Sequence, residues 1–404
     1  MNLRPPHPIE ACDDFRGDGD GGSRGGRRHL RGEGEQPPNR AKCSDVRDRK
    51  AKIMKRTQQI AALRPAYREE LAQGTDQFFS APRTDCPWCA SPIVRERLRT
   101  TDLVQSKPGQ FVLDECRDCG HVFQNPRLSQ VGLDFYYRDF YDGLGEEATA
   151  KLFQGRGSVK RFQASARAMR RLSQPSNWLD VGTSHGHFCA AAQKVLPATV
   201  FDGLDNCEGV ERAVAAGRIS RSYRGFFVDL VDEMTERYDV VSMFHYLEHT
   251  PDPKRELAAA RSALRPGGHL MIEVPDPESV YGRLLGKWWV PWLQPQHLHV
   301  MPIANLCREL ESQGFTIVTT DRQEPHIPAD LVCATWFLLT RILPPDDAPW
   351  LPERPRLPAR LARVLLVLAA APFLLAAWVA DQALAPLVRR TRLSNAYRII
   401  ARRG

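Results

Sequence analysis

Two stretches of the chain set reactive side chains at spacings that one ion or one ligand could use. The first pairs Cys86-Pro87-Trp88-Cys89 with Cys116-Arg117-Asp118-Cys119-Gly120. Each C-x-x-C makes a tight turn presenting two thiolates, and two such turns complete a tetrahedron. Cys86, Cys89, Cys116 and Cys119 are therefore expected to hold Zn2+. Four thiolates leave no open coordination position, so this metal folds or docks a small ribbon and takes no part in a reaction. The second stretch is Asp180-Val181-Gly182-Thr183-Ser184-His185-Gly186, followed about twenty residues later by Asp205. Gly182 and Gly186 let the backbone turn sharply and come close to a ligand. A carboxylate at the tip of the next strand can accept both hydroxyl hydrogens of a ribose. The pattern suits a nucleoside-bearing cofactor across the carboxyl edge of a sheet, although two glycines alone describe only a turn. A nicotinamide enzyme is disfavoured: its fingerprint is G-x-G-x-x-G, and here the glycines stand four apart.

The elements that must position these residues follow from periodicity. From residue 177 onward, short apolar runs alternate with helical stretches, the pattern of a mostly parallel sheet covered on both faces. Strands are expected at 178–181, 200–205, 238–244, 269–274 and 316–320, with a last one at 397–401. Helices are expected at 187–196, 254–264 and 304–313, the second stopping at Arg265-Pro266-Gly267-Gly268. The fold class is thus α/β, a Rossmann-like doubly wound sheet, with a small N-terminal zinc ribbon and an apolar helical insertion near the C-terminus.

A chain of 404 residues exceeds one ordinary core. Residues 1–75 read as a disordered basic and Gly-rich tail, with a helix near Lys50 having only a thin apolar face. The ribbon occupies 80–130, a connecting helical segment 131–176, the Rossmann-like domain 177–325, the apolar insertion 326–390 and the returning strand 391–404. The formal charge of +8 comes largely from arginines in the tail and near the C-terminus. Nucleic acid is not an expected partner, since the ribbon lacks interleaved aromatic and basic residues. Ten cysteines without a secretory signal place the chain in the cytoplasm.

Residues 364–380 form an unbroken apolar run with Pro372 near its centre, flanked by Arg360, Arg363, Arg389 and Arg390, and a second apolar patch spans 331–343. If 397–401 closes the sheet, the chain must return to the side it left, which excludes a single crossing. A helix in the interface, a re-entrant turn at Pro372, two segments crossing together, or a helix buried on a partner remain. The expectation is attachment through 331–390 to the cytoplasmic face of a membrane.

Several blocks in order, Gly120-His121-Val122-Phe123-Gln124-Asn125-Pro126, the glycine loop, Tyr238 to His249, Leu264 to Leu270 and Pro295-Gln296-His297-Leu298-His299, make the chain from Cys86 to about Asp321 resemble class I methyltransferases with a preceding cysteine ribbon. The resemblance implies S-adenosylmethionine as methyl donor. Asp180, Gly182, Thr183, Ser184 and Gly186 would cradle its methionine part, and Asp205 its ribose, with Asn206 beside it. Phe226 and Phe227 would cover adenine, and Met243 and Phe244 would face the sulfonium. The chain departs from the family in one respect: the loop's middle glycine is Ser184, a fit only if its dihedrals are ordinary.

Methyl transfer is an in-line displacement that aligns nucleophile, methyl carbon and sulfur, and removes a proton where the acceptor carries one. His245 and His297 are the candidate bases, with His249, His299 and Glu248 in the same blocks. Trp288, Trp289 and Trp292 would line the acceptor site or pack as an ordinary aromatic loop. The acceptor atom is O or C of a small or lipid-linked molecule. A non-catalytic ribbon and Rossmann binding protein with a degenerate site is the alternative.

Overall fold

The computed structural model describes residues 40–140, 143–146, 151, 154–388 and 391–404. The chain divides into two units, Met1–Ile53 and Met54–Gly404. In chain order the elements used below are α1 (Arg40–Leu71), β1 (Val94–Thr100), β2 (Phe111–Cys116), β3 (Val122–Gln124), α2 (Gln130–Tyr137), α3 (Arg156–Arg170), β4 (Asn177–Val181), α4 (His187–Ala192), β5 (Val200–Asp205) and β6 (Arg221–Arg224). They continue with β7 (Tyr238–Phe244), α5 (Pro253–Ala263), β8 (Leu264–Pro275), β9 (His299–Val300), α6 (Ile303–Ser312), β10 (Phe315–Asp321), α7 (Asp330–Thr340), α8 (Leu357–Val388) and β11 (Ala396–Arg403).

The segment expected to lack structure up to residue 75 carries α1 instead, while its part before residue 40 lies outside the described residues. Within the second unit, Leu63, Tyr67 and Leu71 recur at helical spacing and pack on Phe78, Phe135 and Trp350. Sparse apolar positions among arginines and glutamines suffice because they pack against one aromatic-rich cluster, with Tyr67 edge-on to Phe135 and Trp350.

Seven strands form one sheet in the order β10-β11-β8-β7-β4-β5-β6. The run β6-β5-β4-β7-β8 is parallel, and β11 pairs antiparallel with both β8 and β10. Strand alternation sends Leu179, Val181, Val241, Met243 and Ile272 to one face, against Leu257 and Ala260 of α5 and Leu306 and Leu310 of α6. Trp178, Val240 and Met271 go to the other face, against Phe162 and Met169 of α3 and Phe188 of α4. Burial on both faces explains why these strands read as continuous apolar runs. Asp252 caps α5 by accepting from the Arg255 amide at 3.2 Å, and Pro253 occupies its first position.

The final strand is locked by charge. Arg398 is register partner to Glu273, and its guanidinium lies 2.6 Å from that fully buried carboxylate. Glu273 also takes Arg161 at 3.1 Å and the Ser165 hydroxyl at 2.8 Å. Removing one member would strand a buried charge.

The ribbon is less separate than the sequence implies. Its sheet has the order β1-β2-β3-β9, so the fourth strand comes from the stretch just before α6. The apolar insertion between β10 and β11 is the helix pair α7 and α8. Pro372, a candidate turning point, lies instead inside the continuous α8, at an exposed position.

Candidate active site

The glycine loop follows β4 with three residues in the left-handed region: Gly182 at φ +77°, Ser184 at +48° and Gly186 at +70°. Ser184 therefore does not have the ordinary dihedrals that its fit was expected to need. Left-handed backbone at a residue with a Cβ costs about 1 kcal/mol. The loop is fixed to the next strand: the Gly182 and Thr183 amides donate to the Leu204 carbonyl at 2.8 and 3.1 Å. The Ser184 amide donates to Asp205 Oδ2 at 2.8 Å, and the Cys207 amide to Oδ1 at 3.0 Å. Each Asp205 oxygen has accepted one hydrogen bond, and a carboxylate has about four acceptor sites, so roughly two remain. Asp205 is half-buried and Asn206 beside it is exposed.

The remaining cofactor candidates separate into two groups. Phe226 is 48% exposed, whereas Phe227 and Met243 are fully buried in the core. The Phe244 ring lies tilted against Phe188, with ring centres 4.4 Å apart. Asp180 lies beneath the loop: its Oδ1 accepts from Ser242 at 2.6 Å, and Cys189 Sγ is 3.8 Å from Oδ2. Burial pushes its pKa up to about 7. Asp180 and the buried Thr183 thus brace the loop from below. Tyr246, not singled out in the sequence, covers the loop from above: a Cβ on Gly182 would meet its ring at 2.7 Å. Its hydroxyl donates to Glu256 at 3.1 Å.

Past β7 the structure collects His245, Glu248, His249 and His297. His245 is itself left-handed, at φ +50°, with its amide held by the Glu273 carbonyl at 2.8 Å. Its Nδ1 lies 3.2 Å from Glu248 Oε1, while its buried Nε2 meets no partner among the described residues. Glu248 is fully buried, and its Oε2 is likewise without a partner among the described residues. Burial would raise the Glu248 pKa, but the His245 hydrogen bond and the charges of His245, His297 and His249 bring it below the ordinary value. His297 Nδ1 is bonded to the Pro291 carbonyl at 2.8 Å, and its Nε2 stands 3.9 Å from Glu248. Burial drives the His297 pKa down to about 3, so its ring is neutral. His249 Nδ1 meets the Tyr137 hydroxyl at 2.6 Å. Tyr137 lies outside every block named in the sequence, whereas Tyr246 lies inside one, between His245 and Glu248. Ligand atoms of Glu248, His249 and His297 all lie within 4.8 Å of one another, a set able to hold a divalent cation. His299 faces away, its Nδ1 3.0 Å from His121.

Trp289 and Trp292 belong to the core and also border a narrow cleft with Thr100, Lys287 and Gln294. Both are about 1% exposed and pack with Tyr281 and Val388. Their indoles donate to Asp330 at 2.7 Å and to the Gly286 carbonyl at 3.1 Å. Trp288 borders a wider cleft with Arg99 and Arg341.

The four ribbon cysteines converge, with Sγ pairs Cys86–Cys119 at 3.7 Å and Cys89–Cys116 at 3.6 Å, and all four within 4.8 Å. Four sulfurs at about 2.3 Å around zinc are spaced by about 3.8 Å, so the cluster is compatible with that ion. The two turns are alike: the Ala90 and Gly120 amides donate to the Cys86 and Cys116 carbonyls at 2.9 Å, and both residues are left-handed, at +61° and +71°. Asn305 of α6 donates to the Cys119 carbonyl at 2.9 Å, joining the cluster to the sheet's helical layer.

Residues 158–320 match the family model described as Methyltransferase domain. That stretch is similar to methyltransferase domains. The chain is 32% identical over 129 residues to the Ubiquinone biosynthesis O-methyltransferase of Pseudomonas savastanoi pv. phaseolicola, covering 30% of this chain and 54% of that protein. To the protein of the same name from Marinobacter nauticus it is 36% identical over 69 residues, 17% of this chain and 29% of that protein. The chain thus spans about half, or less, of the length of the curated relatives it matches. Among solved structures, a putative sarcosine dimethylglycine methyltransferase from Galdieria sulphuraria superposes with TM-score 0.40 at 13% identity, covering 61% of this chain and 86% of that one. An S-adenosylmethionine-dependent methyltransferase from Archaeoglobus fulgidus gives 0.39 at 18%, covering 64% and 99%.

Proposed function

We propose that the protein transfers a methyl group from S-adenosylmethionine to an oxygen or carbon of a small or lipid-linked acceptor. The observation that carries this reading is the Asp205 carboxylate, tied to the glycine loop by the Ser184 amide at 2.8 Å and still holding spare acceptor sites for a diol. Gly182, Ser184 and Gly186 would hold the amino-acid end, exposed Phe226 would cover the base, and Asn206 would flank the ribose. When bound, the cofactor supplies a methyl group on a sulfonium centre.

The remaining work falls to the chain. Glu248 accepts a hydrogen bond from Nδ1–H of His245, which fixes the tautomer with the lone pair on Nε2, the nitrogen that has no other partner among the described residues. A histidine so oriented removes a proton from an acceptor hydroxyl as it attacks. His297, bonded back to the Pro291 carbonyl, fits a supporting position behind Glu248 better than a base. The relatives named as O-methyltransferases of ubiquinone biosynthesis favour an oxygen acceptor, and the exposed apolar α8 favours work at the cytoplasmic face of a membrane. The four cysteines would hold structural zinc.

Calorimetry of the purified chain with S-adenosylmethionine, S-adenosylhomocysteine and NAD tests the reading. One site for the first two ligands and none for NAD is expected, with affinity at least about tenfold weaker in Asp205→Asn. A chain that binds neither sulfonium nor thioether overturns it.

A further inference from the structure

Helix α8 is tied to the protein body at both ends. Before it, the chain runs along α1, where Arg64 meets Asp347 at 2.7 Å and Arg68 meets the Pro352 carbonyl at 2.6 Å. Near its end, Asp381 accepts the Leu331 and Val332 amides at 3.0 and 2.9 Å, and Val388 is buried. Positions Val367, Ala370, Leu374, Ala377, Asp381 and Ala385 are half-buried or buried, at spacings of three and four, so one stripe of the helix lies along the body. The other side exposes Leu365 at 66% and Phe373 at 70%, along with Leu368, Leu375 and Trp378. No charged residue interrupts it between Arg363 and Asp381. Thirty-two residues make a helix about 48 Å long. Tied to the body at both ends, it presents a greasy side to its surroundings.

At the C-terminus of α7, which packs on α8, is a cleft of about 220 Å³ lined by Arg99, Lys287 and Arg341 with Thr100, Thr101 and Gln110. Arg99 is engaged by Glu96 at 2.8 Å. Lys287 and Arg341 meet no carboxylate among the described residues; they lie 5.0 and 5.9 Å from the centre of the Trp288 ring. Two unpaired cations, hydroxyls and an amide are the donors a phosphate needs. The neighbouring surface is apolar: Leu284 is 72% exposed and Ile342, next to Arg341, 69%. A second, narrow cleft shares Lys287 and Thr101 and continues past Trp292 to Gln294, whose amide donates to the His297 carbonyl at 2.8 Å.

We propose that this cleft binds the phosphate of an anionic lipid while the outer side of α8 lies among acyl chains at the membrane surface. The assignment rests on the membrane part of the reading above and not on methyl transfer. The cations face the charged headgroup layer, and the uncharged stretch of α8 meets the layer beneath it.

Flotation of the full chain with vesicles of phosphatidylcholine alone, or with phosphatidylglycerol added, tests it. Partition onto the mixed vesicles is expected to exceed that onto phosphatidylcholine by about tenfold, and Lys287→Gln with Arg341→Gln to lower it about fivefold per charge. Leu365→Ser with Phe373→Ser lowers partition onto both vesicle types, and melting curves confirm that each variant is folded. If both vesicle types bind equally and the charge variant behaves as the parent, the phosphate site is wrong while membrane attachment stands. If neither type binds, or light scattering finds a dimer that buries α8, both fall. If glycerol 3-phosphate binds as tightly and the chain stays in solution, the lipid source is wrong.

Discussion

Two clusters of side chains that could ligate a metal lie among the described residues, and they differ in completeness. At the ribbon, four sulfurs face one another at tetrahedral spacing, and matched left-handed turns support both pairs. Past β7, Glu248 Oε2 and His245 Nε2 are buried with nothing opposite them among the described residues. Buried polar atoms are ordinarily paired, and an exception calls for a reason. The closed cluster spends all its ligands on the fold, whereas the open one keeps acceptor capacity for something that arrives.

The comparison breaks first, and most violently, at the cysteines. Cys116→Ser, or strong chelation, should lower the melting temperature by more than about 10 °C, with loss of one zinc per chain by elemental analysis. A chain purified without zinc that melts unchanged would remove the closed half of the contrast. At the open cluster the effect should appear in turnover. His245→Asn, which tolerates the left-handed backbone, and Glu248→Gln are each expected to reduce kcat by about 10² to 10⁴. Stability should change little for His245→Asn, and a large loss there would make the histidine structural.

Asp180 sharpens the contrast, because it is a closed carboxylate directly under an open loop. Its pKa is raised to about 7 from 3.8, with burial the chief cause, so between those values the folded chain keeps a proton that the unfolded chain has released. This contribution is full below about pH 4 and fades as pH rises through about 7. Asp180→Asn should flatten that part of the melting profile; an unchanged slope counts against the assignment. The smallest effect is at Ser184: glycine there relieves left-handed strain but loosens the unfolded chain, for a net gain of about 0.5 kcal/mol. A loss on denaturant titration would mean that its side chain has a partner.

The sheet was legible because its strands are buried on both faces. The strands expected at 200–205 and 238–244 coincide with β5 and β7, and the returning strand lies within β11. Helix α1 was not, since Leu63, Tyr67 and Leu71 are too sparse to stand out without their aromatic partners. Within the site, residue type was readable and facing was not. Phe226 and Phe227 are adjacent and aromatic, yet only one is exposed. Met243, Trp289 and Trp292 likewise went to the core. His245 and Glu248 are visibly three apart, but the positive φ that sets their pairing has no sequence mark at a histidine. Tyr246 and Tyr137 act through distant contacts that no local pattern encodes.

Asp321 at the end of β10 is register partner to Arg398, near the start of β11. A tight reverse turn could therefore join the two strands directly. Everything the chain carries from residue 322 to 395 leaves and rejoins the sheet at one spot, like a handle fixed to a lid. Such an attachment could be lengthened, exchanged or shed while the hydrogen-bond ladder beneath kept its register, so where the protein resides can vary without rebuilding the pocket in which it works.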